Sequence, residues 1–245
     1  MTATPMPDPS FEMLLPRPVE AVWLAFRDPE LIRRWHGWDF EGLDEEIKAL
    51  YVDGVVVDQE QHTLHIGGHL FALRPQDGHT LLHVSRKAPV EKVDTGIDWA
   101  RQYDDIEEGW ISFLQQLRFV LARQLQRRRR TIFRAGAARS AVPTPIADVL
   151  GLFNAARTPA GEPYVADVGP GDHLEGEVWF RTGLQLGVTV DGWGEGLLIL
   201  THPASSDEPF GLATMILTTY GLGDDDFADL ERRWGTWFAA RYEED

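Results

Sequence analysis

Pro16-Arg17-Pro18-Val19-Glu20-Ala21-Val22-Trp23-Leu24-Ala25-Phe26 decides how this chain is read, because its pattern returns as Pro143-Thr144-Pro145-Ile146-Ala147-Asp148-Val149-Leu150-Gly151-Leu152-Phe153. A shift of 127 residues lays Pro16 on Pro143, Pro18 on Pro145, Val19 on Ile146, Val22 on Val149 and Phe26 on Phe153. Proline suits the first turn of a helix, where its missing N–H has no partner to lose. The apolar residues Val19, Val22, Trp23 and Phe26 then recur at i, i+3, i+4 and i+7, the spacing of one buried helical face. Two such helix entries predict a duplicated domain, one copy over residues 1–127 and the other over 128–245.

Charge supports equal halves. The net charge is −16. Residues 1–127 hold 21 acidic and 13 basic side chains and residues 128–245 hold 18 and 10, so each half carries −8. Such acidity works against binding phosphate backbones or anionic membrane surfaces, so no nucleic-acid partner is expected. Hydrophobic residues at 43% and charged residues at 25% are the composition of a folded domain, not of a disordered chain. Cysteine is absent, which excludes a disulfide framework, a thiol nucleophile and a thiolate metal site. Met1 to Ser10 is Pro-rich and polar, and no run of about 18 apolar residues could span a membrane. A cytoplasmic protein is the expectation.

Further elements follow from pattern. Phe11 to Leu15 predicts a strand, Pro18 to Phe26 a helix, and Asp28-Pro29-Glu30 a second helix start that runs to Arg34 and stops at Gly37. Residues 39–46 read as an acidic, solvated connector. Leu50–Val52, Val55–Val57, His62–Ile66, His69–Leu73 and Thr80–Ser85 are short runs separated by Asp53-Gly54, Gly67-Gly68 and Asp77-Gly78, which predicts an antiparallel meander. Residues 88–104 read as irregular. A long helix from about Asp105 carries a stripe of Trp110, Phe113, Leu114, Leu117, Val120 and Leu121, and Arg127–Arg130 reads as a solvated linker.

The second half repeats this plan. It offers a strand at 131–133, a helix at 145–154 and an irregular stretch at 155–172. Strands follow at 175–181, 184–190, 196–201 and 212–220, and the last helix spans 225–242 with the stripe Phe227, Leu230, Trp234, Trp237 and Phe238. The closing stripes align at a shift of 117, so the second copy is about ten residues shorter between its helices. The missing length falls where the first copy has its second helix and acidic connector.

The run from Val22 to Trp35, Val-Trp-Leu-Ala-Phe-Arg-Asp-Pro-Glu-Leu-Ile-Arg-Arg-Trp, resembles the opening of the START/SRPBCC (Bet v allergen-like) superfamily, in particular its bacterial heat-shock ATPase activator-like branch. The Gly109-Trp110 start of a leucine-striped closing helix is similar to that branch as well. The resemblance covers residues 11 to about 125 and fades over 131–242. It implies an α+β fold of two tandem helix-grip domains, each a curved antiparallel sheet around a long C-terminal helix, the second copy degenerate. It also implies an apolar cavity between sheet and helix, and pairing of the two copies as an intrachain pseudo-dimer. Members mostly bind hydrophobic molecules, and a minority are cyclases, hydrolases or co-chaperone modules.

Within that picture Trp35, His36, Trp38, Trp99, Tyr103, Trp110 and Phe113 are the candidate ligand-binding residues, since they fall near the expected cavity entrance and aromatic walls suit an apolar ligand. Filling the core is the competing use of the same rings. His62, His65 and His69 have the look of a metal cluster, but alternation along a strand would point His62 and His65 to opposite faces, so no metal is expected. No Gly-x-Ser-x-Gly, His-Glu-x-x-His or P-loop signature occurs. His36 and His83 could serve as pocket acids or bases, with nothing in the sequence to select them. The expectation is therefore a non-catalytic protein that binds a small hydrophobic molecule in the N-terminal copy, with no cofactor and no catalytic residue. The alternatives are a cyclase- or hydrolase-type enzyme, which needs a polar dyad pointing inwards, and a module with a protein partner such as a chaperone ATPase.

Overall fold

A computed structural model describes residues 10–86, 99–123, 126–140, 144–202 and 212–244, with the backbone alone over 99–108 and at 212. Its contacts divide the chain into two compact units, Met1–Gln102 with Gln116–Leu125, and Tyr103–Gln115 with Gln126–Asp245.

In the first unit, strand β1 (Ser10–Leu15) leads into helices α1 (Val19–Arg27) and α2 (Pro29–Ile32). Asp28 starts α2 as its composition predicts, its side chain accepting the Glu30 N–H at 2.9 Å, with Pro29 in the first turn. The turn after α2 ends at Gly37, whose φ of +56° suits glycine. A meander of β2 (Val56–Asp58), β3 (Thr63–Ile66), β4 (His69–Gln76) and β5 (His79–Arg86) forms a five-stranded antiparallel sheet in the order β1-β5-β4-β3-β2. Leu15, Val22, Phe26, Leu64, Phe71, Leu82 and Val84 are buried in its core.

One stretch departs from the reading. Residues 39–46 are not a solvated connector, and Leu50–Val52 is not a strand. Helix α3 (Leu43–Lys48) passes directly into a π turn, Ala49–Asp53. Leu43, Ile47 and Tyr51 lie four residues apart and are all buried, so a helical stripe is present beneath the acidic surface residues. The carboxylates of the run hide that stripe from a reading by composition.

Helix α4 (Trp99–Arg123) begins six residues before the expected Asp105. Its later residues belong to the first unit, where Leu117 and Phe119 are buried, and the Arg17 Nε–H donates to the Leu121 carbonyl at 3.0 Å.

The second unit repeats the strand order. β6 (Arg129–Ala138) pairs with β11 (Leu212–Tyr220), which is followed across the sheet by β10 (Gly196–Thr201), β9 (Gln185–Val190), β8 (His173–Arg181) and β7 (Pro163–Asp167), with β12 (Tyr242–Glu243) on the outside of β6. In each sheet the first strand lies beside the last, and the others follow in reverse order. With helix α5 (Ile146–Leu150) after the first strand and helix α6 (Asp224–Ala239) after the last, this is the helix-grip plan twice over. Two expectations are corrected. The stretch 155–172 contains β7, and Arg129 and Arg130 are not linker but the start of β6, with Arg129 buried. The Arg130 guanidinium lies 4.5 Å from the Phe227 ring centre and bonds Asp224 at 2.7 Å.

The interior between this sheet and α6 is filled by side chains. Trp193 and Trp234 meet edge to face at 5.2 Å, and Leu230, Trp237 and Phe238 complete a buried cluster with Val178, Val188, Leu198, Leu200, Met215 and Leu217. On β8 the register slips between Val178 and Phe180, a bulge at Trp179. The Phe180 ring then covers Gly187 so closely that a Cβ there would stand 2.1 Å from it. Gly187→Ala is therefore expected to lower stability by about 1–3 kcal/mol, the usual range for overpacking, measured as a lower urea midpoint at unchanged slope.

Candidate functional site

The structure gathers a polar centre around one predicted residue, His36. It follows Trp35 in the turn after α2 and is about 1% exposed. Its Nε2 lies 2.9 Å from Oε1 of Glu46 on α3, and its Nδ1 lies 2.9 Å from the Tyr51 hydroxyl in the π turn. Three consecutive local elements thus supply the three groups. The π turn closes through the Gly54 N–H to the Ala49 carbonyl at 2.8 Å, and Arg27 donates to the Tyr51 carbonyl at 3.2 Å. Behind them stands Trp35, fully buried, edge to face with Phe26 (5.2 Å), His36 (5.8 Å) and Tyr51 (5.8 Å), its indole N–H donating to the Ala25 carbonyl at 3.1 Å. From α4, the Gln116 side-chain amide donates to the Gly37 carbonyl at 3.1 Å and ties the turn to the long helix.

The charges are set by these contacts. The hydrogen bond from His36 holds the Glu46 carboxyl below its ordinary value, against the opposing effect of partial burial, so it is ionised at neutral pH. Burial pushes the Tyr51 phenol well above its ordinary value, and the Glu46 charge adds to this, so the hydroxyl keeps its proton. An ionised carboxylate can only accept, so His36 Nε2 carries a proton that faces Glu46. Nδ1 is left to pair with the Tyr51 hydroxyl, which can donate or accept. The Glu46 side chain is 41% exposed, so one end of the set meets solvent while the other is enclosed.

The other sequence candidates fall as follows. Trp35 is a core ring and Trp38 is half-buried, both in the first unit. Trp110 is buried and Phe113 half-buried, 6.1 Å apart edge to face, in the stretch of α4 grouped with the second unit. There the Ser112 hydroxyl donates to Gln185 at 3.1 Å and the Trp179 indole to the Gln115 carbonyl at 3.3 Å. Trp99 and Tyr103 lie on the first turns of α4, and their side chains are outside the described residues. Sequence reasoning missed Glu46 and Tyr51. The signal that could have found them is the spacing of Leu43, Ile47 and Tyr51, which places Glu46 and Tyr51 on consecutive helical turns.

Two open clefts lie apart from His36. One, of about 340 Å³, is lined by Met13, Leu14, Pro16, His79 and Arg118. The other, of about 370 Å³ in the second unit, is lined by Trp193 and by the polar residues Asp172, His173, Asp226, Asp229 and Arg233. In the latter, Asp172 is committed to structure: it accepts from Arg233 at 2.7 Å and from the Trp234 indole at 2.6 Å. Among the described residues no helix is long and apolar enough to cross a membrane.

No family model matches the sequence, and no curated protein is similar to it in sequence. Solved structures similar to it include the di-domain ARO/CYC BexL from the BE-7585A biosynthetic pathway, at 10% identity over 94% of this chain and 92% of that one, TM-score 0.33. The di-domain ARO/CYC StfQ from the steffimycin biosynthetic pathway matches at 10% over 92% and 91%, TM-score 0.34. DynU16, a protein of the dynemicin biosynthetic locus, matches at 14% over 94% and 95%, TM-score 0.28. At these values the helix-grip assignment stands on this chain's own strand order. The expectation that the protein is more likely not an enzyme is corrected: two of these similar structures are described as ARO/CYC proteins of biosynthetic pathways, which stands against it.

The Glu46 contact fixes a pH dependence. A carboxyl whose folded pKa is depressed adds stability above its ordinary value of 4.5, and that stability is lost as pH falls through the lower folded value. Glu46→Gln is therefore expected to be less stable than wild type at pH 6–7, with the gap closing below pH 4.5. Urea midpoints over pH 3–7 measure it, and a gap independent of pH would contradict the assignment.

Proposed function

We propose that this protein is a cyclase-type enzyme acting on a small, largely apolar molecule, with the Glu46–His36 pair of the N-terminal helix-grip unit as its acid–base groups and the half-exposed Glu46 carboxylate as the end that meets substrate. The observation that carries the reading is the ionised carboxylate held 2.9 Å from a buried imidazole, since a positioned carboxylate with an imidazole hydrogen-bonded behind it can take up and return a proton. Residues 1–127 and 128–245 are then two copies of one unit. The repeated helix entry and the shared strand order support this. The Val22–Trp35 motif favours the heat-shock ATPase activator-like branch of the superfamily for the first copy.

Ring closure of the aldol kind matches what one positioned base can do. A C–H bond beside a carbonyl breaks and its proton goes to the base, the carbon attacks a second carbonyl within the same molecule, and the resulting alkoxide takes the proton back. One C–C and one O–H bond form, one C–H bond and one C=O π bond are lost, and no oxidant or reductant is needed.

The test uses linear tri- and tetraketones that can close to six-membered rings, with product followed by mass and ultraviolet absorbance. Native mass spectrometry of the purified protein shows in parallel whether an apolar small molecule accompanies it. Wild type is expected to accelerate closure, and His36→Ala to lose about 10²–10⁴-fold while keeping its circular dichroism spectrum. No acceleration by wild type, or full activity in His36→Ala, would overturn the reading.

A further inference from the structure

We propose that Tyr51 is a positioning residue for His36 and that the π turn closed by Gly54 is the device that sets its reach; this rests on the reading of the Glu46–His36 pair as the acid–base groups. Three observations meet at this point. Tyr51 is buried, its hydroxyl is 2.9 Å from Nδ1, and it stands in the single π turn of the described residues. Such turns are rare and occur often where a side chain must be re-aimed for function. Residue 51 would be rotated and raised differently by a regular α turn, and the hydroxyl would leave the imidazole.

Gly54 holds the turn open. Its N–H reaches the Ala49 carbonyl at 2.8 Å, and a Cβ added to it would come 2.6 Å from that oxygen. The obstacle is backbone and cannot swing aside. Its φ of −96° is one that any residue adopts, so the requirement for glycine is space alone.

The chemistry of a phenol explains why this residue type is used. A hydroxyl both donates and accepts. Tyr51 can therefore pair with Nδ1 whichever of the two carries the proton of that bond, while Nε2 faces Glu46. The buried ring is held at both nitrogens in one orientation, with its Nε2 edge against the carboxylate. Phenylalanine would leave Nδ1 without that partner.

Long-range ¹H–¹⁵N spectra of full-length protein labelled at histidine nitrogen test this without substrate. Wild type is expected to show His36 as one Nε2–H tautomer with a hydrogen-bonded Nδ1. Tyr51→Phe is expected to shift the Nδ1 resonance and to give a second tautomer. Gly54→Ala, which alters neither ring, is expected to do the same, so the test survives if Tyr51→Phe does not fold. In the ketone assay both variants are expected to change the pH profile and kcat more than KM. Unchanged His36 resonances in a folded Gly54→Ala or Tyr51→Phe protein would overturn the proposal. Loss of the tautomer in the variants, with no ring closure by wild type, would instead leave the positioning role standing and remove the enzymatic reading.

Discussion

An imidazole taken out of water must find a partner for each nitrogen, and the first unit is arranged to meet that demand. A stranded polar atom in the interior costs about 1–3 kcal/mol, enough to decide between neighbouring conformations. His36 meets it with Glu46 from α3 on one side and Tyr51 from the π turn on the other. The carboxylate cannot be placed without α3 running as a helix through an acidic stretch, and the phenol cannot be placed without an extra residue in the following turn. Trp35 then packs edge to face against both rings, and Gln116 fixes the carbonyl of the next residue from the long helix. Local geometry that looks irregular is thus the consequence of one buried side chain.

The sheets impose a different constraint. Placing the first strand beside the last, as β1–β5 and β6–β11 do, requires the chain to leave the first strand, cross, and return through the whole meander before that pairing forms. Contacts so distant in sequence stabilise only once everything between them is in place. The Pro-entered helices after β1 and β6 serve this crossing, with Pro18 and Pro145 fixing the backbone where each helix begins. This explains why the repeat is clearest at that point, since the entry angle there admits few sequences.

Much of the fold was legible for the same reason. Strands 175–181, 184–190, 196–201 and 212–220 lie within a residue or two of where alternation and turn residues placed them, because Gly, Asp and Thr at those bends leave few choices. The stripe on α6 was legible too, with Leu230, Trp234, Trp237 and Phe238 all buried. The errors share one cause: surface charge concealed a pattern beneath it. Acidic residues masked the Leu43–Ile47–Tyr51 stripe, and the arginine run masked the start of β6. In the site, His36 was named because of its place between tryptophans, whereas its partners were not. A hydrogen bond between residues 10 and 15 positions apart leaves no periodic trace, and a π turn breaks the period that would have aligned Tyr51.

The two units differ most in the segment that follows the first helices of each. A shift of 127 carries His36 onto Pro163, Gly37 onto Tyr164 and Trp38 onto Val165. In the second unit that segment is β7, an added strand in which the Tyr164 hydroxyl donates to the Thr189 carbonyl. Proline carries no titratable group, and among the described residues neither α3 nor the π turn has a counterpart there. The space that a helix-grip interior could offer a ligand is taken by Trp193, Trp234, Trp237 and Phe238. Where one copy spends this stretch on a helix and a re-aimed tyrosine, the other spends it on sheet. The buried histidine with its carboxylate and phenol partners therefore belongs to the N-terminal unit, and the C-terminal unit keeps the strand order with a different segment in its place.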